Sequence, residues 1–67
     1  MNRTYYVTPD MPLEETVCGH RWLPGKKYEV IEYEDHFIIY SDNGKIDYSI
    51  SVLEEVKVLF KEVRICD

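Results

Sequence analysis

At 67 residues, with a formal net charge of −5 and a pI near 4.9, the chain is one domain at most. Its acidic balance excludes a general nucleic-acid coat and a protein that lies on anionic membrane, both of which need clustered Lys and Arg. Apolar residues make up 45% and charged residues 31%, too apolar for a disordered tail, yet a chain this short buries only about 60% of its unfolded surface, so the core must be thin.

The first run, Arg-Thr-Tyr-Tyr-Val-Thr from Arg3 to Thr8, is aromatic and β-branched and predicts a strand ended by Pro9. The next segment, from Pro9 to Gly25, carries all three prolines and two of the three glycines. It predicts a long excursion with one short extended piece around Thr16 to Cys18, not a helix. Pro24-Gly25 is a turn signal that launches a second long strand. From Lys26 to Glu34 the residues alternate, Tyr28 and Val30 on one face, Ile31 and Tyr33 on the other. A tight Glu34-Asp35 link leads to a further strand from His36 to Ser41. Asn43-Gly44 then has the chemistry of a type I′ hairpin turn, with both residues at positive φ. Ile46, Tyr48 and Ile50 alternate with Asp47, Ser49 and Ser51, the pattern of a strand dry on one side and wet on the other.

The last segment is ambiguous by period. Ser51 followed by Glu54 is a capping-box spacing, and Leu53, Val56, Phe60 and Val63 fall at helical intervals. One or two helical turns from Ser51 to about Lys57, then a closing strand from about Val58 to Ile65, is the expected arrangement. A single longer helix is the alternative.

No residue set points strongly to chemistry. Cys18, His20, His36 and Cys66 include the donor types of a zinc site but come from scattered elements, and Cys-x-His lacks the usual paired-cysteine knuckle. A bridge between Cys18 and Cys66 requires the last strand to lie beside the Cys18 segment. The start, MNRTYYVTPD, lacks the apolar run of a signal peptide, and no stretch approaches the roughly 18 apolar residues of a membrane span. A cytoplasmic chain with reduced thiols is therefore expected. Cys18 and His20, two apart, share a face of any strand there, but a small barrel offers little concavity to shelter a reaction, so no catalytic residue, metal or cofactor is expected. Glu32, Glu34 and Asp35 cluster at a hairpin tip, where acids serve solubility and block edge pairing.

The order Gly25-Lys-x-Tyr28-x-Val30-Ile31, then Ile39-x-x-Asp42-x-Gly44, then Tyr48-Ser49, Leu53 and Phe60-x-x-Val63 resembles small Src-homology-3-like β-barrel proteins of tailed bacteriophages and their prophages. The resemblance spans about residues 25–63. It implies a mainly β fold, a five-stranded bent barrel with one short helical turn near residues 51–57, and a phage protein that works by binding a host protein. It supplies no catalytic residues.

Charge narrows the partner. Between Tyr28 and Glu55 eight acids stand against Lys45 alone, a net of −7, while the rest of the chain nets +2. The expected activity is non-enzymatic: a protein-binding module that modulates or inhibits a host protein with a basic surface, a nucleic-acid-binding protein being one such target. The expected surface is an acidic hairpin face of Glu29, Glu32, Glu34, Asp35, Asp42 and Asp47 with Tyr33 and Tyr40 as anchors. Trp22 is a secondary candidate, either folded over an open end of the barrel or presented to a partner. Two other classes stand beside this one. A nucleic-acid-binding barrel would use Arg3, Arg21, Lys26 and Lys27 with Trp22 or Tyr28 for stacking, though the acidic balance disfavours it. A structural subunit would pair exposed strand edges in an oligomer.

Overall fold

A computed structural model describes residues 2–63. Seven strands form among them: β1 (Arg3–Pro9), β2 (Leu13–Glu15), β3 (His20–Trp22), β4 (Tyr28–Glu32), β5 (His36–Ser41), β6 (Gly44–Ser49) and β7 (Phe60–Val63). A 3-10 turn at Ile50–Val52 and the helix α1 (Leu53–Leu59) separate β6 from β7. Five strands make one antiparallel sheet in the order β6-β5-β4-β1-β7, and β2 and β3 make a separate two-stranded ribbon.

The fold is mainly β with one short helix, as the sequence predicts. It is not a barrel: β6 and β7 are the two edges of an open sheet and do not pair with each other. The β2–β3 ribbon and α1 lie against one face of the sheet and supply Trp22, Leu53 and Val56 to its core. Apolar cover from those two elements buries the face that closure would otherwise have to hide.

Alternation decides which side chains that core receives. Tyr5, Val30, Ile39 and Ile46 lie side by side across four strands, and Val7 is opposite Tyr28. Val30 and Phe37 are wholly buried, and Trp22 is only 5% exposed. The period-2 reading of β4 and β6 is therefore correct. The C-terminal segment also follows the expected order, a turn or two of helix and then a strand, with Phe60 ending the helix in an extended conformation. Ile65 and Cys66, which figured in the expected closing strand and in the disulfide reading, lie outside the described residues.

Two local readings are corrected. The excursion is an ordered hairpin, and Thr16 to Cys18 is its turn rather than its extended piece: Glu15 pairs with His20, and the Glu15 carboxylate accepts a hydrogen bond from the Cys18 backbone N–H at 2.8 Å. The β5–β6 turn is also shifted by one residue. Ser41 pairs with Gly44, so Asp42 and Asn43 are the central residues, and no non-glycine residue among those described has positive φ. Gly44 alone absorbs the left-handed twist, at φ +137°. The type I′ preference gives way because the side chains of Asp42 and Asn43 are both held by residues outside the hairpin. The Pro24-Gly25 turn behaves as read, with Gly25 at φ +86° and the Lys26 N–H reaching the Leu23 carbonyl at 3.4 Å.

Trp22 joins the layers. Its ring meets Phe60 edge-on at 5.7 Å, and its indole N–H donates to the Tyr40 carbonyl at 2.8 Å. Trp22→Ala is expected to cost about 3–5 kcal/mol, comparable with the whole stability of a domain this size, about 0.05–0.15 kcal/mol per residue. It should abolish the cooperative unfolding transition in urea, whereas Trp22→Phe, which keeps most of the packing and loses the N–H, should lower the midpoint by a measurable step of about 1 kcal/mol. Gly44→Val should destabilise by about 1 kcal/mol or more, since a β-branched residue resists positive φ; an unchanged midpoint would contradict the turn geometry.

Candidate functional site

The acids expected to share one face divide among three places. Glu32 faces the core side of the sheet, opposite Arg3 in the β1–β4 register. Arg3 lies 3.6 Å from its Oε2 and donates to Glu62 at 3.0 and 3.2 Å, tying β1 to both neighbouring strands, and its guanidinium covers the Tyr5 ring at 4.4 Å. Burial, and then the nearby Glu32 carboxylate, push the Tyr5 hydroxyl well above the ordinary tyrosine range. Glu32 thus faces Arg3 and Tyr5 on the core side, its Oε2 buried without a hydrogen-bond partner among the described residues, and is not part of the open face.

Asp42 is the second departure. Its Oδ1 accepts from Lys26 Nζ at 3.1 Å and from the Tyr28 hydroxyl at 3.2 Å, and Tyr28 in turn accepts the Leu23 N–H at 2.7 Å. This contact with Asp42 holds the Lys26 ammonium above its ordinary pKa. Next to it, Asn43 donates to the Gly19 carbonyl at 2.7 Å and accepts from the Arg21 N–H at 3.2 Å, and the Asp42 N–H reaches the Arg21 carbonyl at 3.0 Å. The tip of the β5–β6 hairpin is a latch that fixes the β2–β3 ribbon to the sheet.

His20 and Ser41 belong to the same latch. The Ser41 hydroxyl lies 2.7 Å from His20 Nδ1 and 3.2 Å from the Gly44 carbonyl, and it accepts the Asn43 N–H at 3.2 Å. Cys18, a candidate nucleophile, is exposed in the ribbon turn. Among the described residues no three His, Cys, Asp or Glu side chains are grouped to hold a metal ion, and no helix is long and apolar enough to cross a membrane. Trp22 and Tyr28 are both buried, which leaves neither ring presented for base stacking.

What remains of the expected surface lies on the opposite face of the sheet. Strand alternation and register place Tyr6, Glu29 and Tyr40 in one row, Thr4, Ile31, Ile38 and Asp47 in the next, and Tyr33 near His36 and Ser49 in a third. Among the described residues no element covers this face, and Tyr6, Ile31, Tyr33, Ile38 and Tyr40 are each half-buried only by their neighbours. Lys45 also projects here, opposite Tyr40. Its acidic end is the β4–β5 turn, where the Tyr33 N–H reaches the His36 carbonyl at 2.9 Å around Glu34 and Asp35, and where the Tyr33 and His36 rings stack 4.6 Å apart. The sequence missed Tyr6, Ile31 and Ile38 as surface residues, although their alternation with Tyr5, Val30 and Phe37 was the signal that could have found them.

The described surface has two further depressions of note. One, of about 470 Å³, opens beside the latch, and Arg21, Asp42 and Asn43 in its lining are already engaged. The other, of about 300 Å³, is an apolar cleft between the β2–β3 ribbon and α1, floored by Trp22 and Ile39 and walled by Leu13, Tyr48, Val56 and Leu59. Comparison with protein-family models, curated proteins and solved structures finds no match to this chain.

The Asp35–His36 pair gives the acidic end a defined pH response. His36 Nδ1 donates to Asp35 Oδ1 at 2.7 Å. That bond, with the field of Asp47, holds His36 above the ordinary histidine pKa, and the same bond holds Asp35 below the ordinary aspartate value. A raised histidine favours the fold below its unfolded pKa of about 6.5 and loses that contribution as pH rises through the raised value; a lowered aspartate contributes above about 3.9 and loses it as pH falls through the lowered value. The pair is therefore fully formed between about 3.9 and 6.5. In an NMR titration His36 should change protonation above the ordinary range, and Asp35→Asn should bring it down.

Proposed function

We propose that this chain is a non-enzymatic protein-binding module whose uncovered sheet face docks on a basic surface of its partner. One observation carries the reading: among the described residues a five-stranded sheet is packed on one side, and its other side displays tyrosines and isoleucines where an ordinary solvated face would be polar. Tyr6, Tyr33 and Tyr40 are amphipathic, stiff anchors that lose little entropy on binding. Glu29, Asp47 and the Glu34-Asp35 turn give the face a negative end, which selects a cationic partner and accelerates encounter.

The resemblance of residues 25–63 to small phage proteins of Src-homology-3-like type supports a host protein as that partner, with binding that modulates or inhibits it in the cytoplasm. Glu32 leaves the proposed interface because it faces the core side of the sheet, Asp42 because it is engaged by Lys26 and Tyr28, and Trp22 because it is core. Glu29, Tyr33, Glu34, Asp35, Tyr40 and Asp47 stay.

The test begins with a partner captured from bacterial lysate on immobilised chain. Glu29→Lys with Asp47→Lys should slow its association at least about tenfold at low salt, with little change once screening shortens to about 8 Å at physiological ionic strength. Lys57→Glu, on the helix behind the sheet, should leave the rate near that of the parent. Equal association of the double variant and the parent at low and high salt would sink the sheet-face reading.

A further inference from the structure

The apolar cleft between the ribbon and the helix lies on the other side of the sheet from the proposed interface. Its volume of about 300 Å³ is at the small end of the range for ligand sites, roughly 300–1,000 Å³, enough for large apolar side chains but not for a whole packed element. Trp22, Ile39 and Phe60 floor it within the core, and its lips are Leu13 on the ribbon and Leu59 on the helix, the latter 50% exposed at the end of α1. Val58, next to Leu59, is 82% exposed. An apolar lip left in water beside an open apolar slot is the feature to explain.

Charge supplies the second observation. Glu15 stands on the ribbon wall and Glu55 on the helix wall, with Glu14 at the margin, and no lysine, arginine or histidine is among the lining residues. Arg21, which pairs with Glu14 at 3.4 Å, is not part of the lining either. The field of Glu15 is felt inside the cleft, where it adds to burial in raising the Tyr48 hydroxyl above its ordinary value. An apolar slot with carboxylates on both walls is complementary to an apolar side chain flanked by cations on both sides. A second copy of this chain would bring a net charge of −5 to an already acidic rim, so self-docking is opposed.

We propose that this cleft is a docking site for a short polypeptide segment in which a large apolar residue is flanked by lysine or arginine, the apolar side chain entering between Leu13 and Leu59 and the cations meeting Glu15 and Glu55. The site is separate from the sheet face and does not depend on that face being an interface. The arrangement would let the domain hold two basic segments on opposite sides.

The chain's single tryptophan floors the cleft and serves as the probe. Blocked peptides without tryptophan, Lys-Phe-Leu-Lys, Glu-Phe-Leu-Glu and Lys-Gly-Ser-Lys, are titrated into the intact protein while Trp22 fluorescence and amide shifts are followed. Lys-Phe-Leu-Lys should bind about tenfold or more tightly than either control, a difference of about 1.4 kcal/mol, with shifts at Leu13, Val52 and Leu59. Leu59→Ser and Glu55→Lys, both at exposed positions, should each weaken it by roughly fivefold or more, with cooperative unfolding confirming the fold. Tyr40→Ala should leave this binding unchanged while weakening capture of the sheet-face partner. Equal binding of the glutamate-flanked peptide would overturn the proposal, as would absence of binding at millimolar peptide. Octylammonium binding as tightly as the peptide would make the cleft a small-molecule site, and a concentration-dependent dimer abolished by Leu59→Ser would make it a self-interface; either would overturn it. Shifts confined to Tyr6, Ile38 and Tyr40 would refute the cleft and favour the sheet face.

Discussion

The indole of Trp22 is the point on which the layers depend. The sheet by itself would expose a face containing Tyr5, Val7, Val30, Phe37 and Ile39, and a 3-residue strand such as β3 has too little backbone pairing to stay on it unaided. Trp22 resolves both problems. It brings a large apolar area to the sheet and spends its one polar atom on the Tyr40 carbonyl, so no buried donor is left unpaired. Its edge-on contact with Phe60 reaches the junction of α1 and β7. Ribbon, sheet and helix therefore share a single contact region, and weakening it loosens all three.

The latch at Asp42 and Asn43 works with that wedge. Hydrophobic cover fixes how deep the ribbon sits, but apolar contacts are non-directional and leave it free to slide. The Asn43 side chain and the backbone pairing of Asp42 with Arg21 supply direction, setting where β3 stands along the sheet. The latch holds the ribbon at Gly19 and Arg21 and Trp22 anchors the end of β3, while the ribbon's other strand, β2, faces α1 across the apolar cleft. A consequence is that the fold is one-sided. Among the described residues the elements that cover the sheet are on the core face, and the tyrosine face is left uncovered.

Charge is distributed by the same logic. A run of acids looks like one surface when residues are counted along a chain, but a strand sends successive side chains to opposite faces. Glu29 and Glu32 belong to the same strand and end on opposite sides, one beside Tyr6 and Tyr40, the other against Arg3. Asp42 and Asp35 both occupy hairpin turns, yet one neutralises Lys26 and the other partners His36. What remains on the open face is a modest negative end rather than a continuous acidic sheet, and Glu15 and Glu55, in separate elements, turn out to share a rim.

Local chemistry alone determined the five strands of the main sheet and most of their facing, but not the β2–β3 ribbon. Alternation in Tyr28–Glu32 and in Ile46 to Ser51 is a period that only one burial pattern satisfies, and Pro24-Gly25 dictates its own turn. The helix-then-strand order of the C-terminal segment was likewise legible, although the Ser51–Glu54 capping spacing is not what starts the helix: its N-cap is Val52 without a side-chain cap, and Ser49 caps the preceding 3-10 turn instead. The rest was decided by partners far apart in sequence. Whether the sheet closes depends on what else can bury its inner face, and here Trp22, Leu53 and Val56 arrive from outside it. Which residues occupy the β5–β6 turn depends on Gly19, Arg21, Lys26 and Tyr28, whose hydrogen bonds to Asn43 and Asp42 outweigh the intrinsic preference of Asn-Gly for positive φ. Turn preferences are worth little beside several hydrogen bonds made together, and those bonds exist only once the chain has folded.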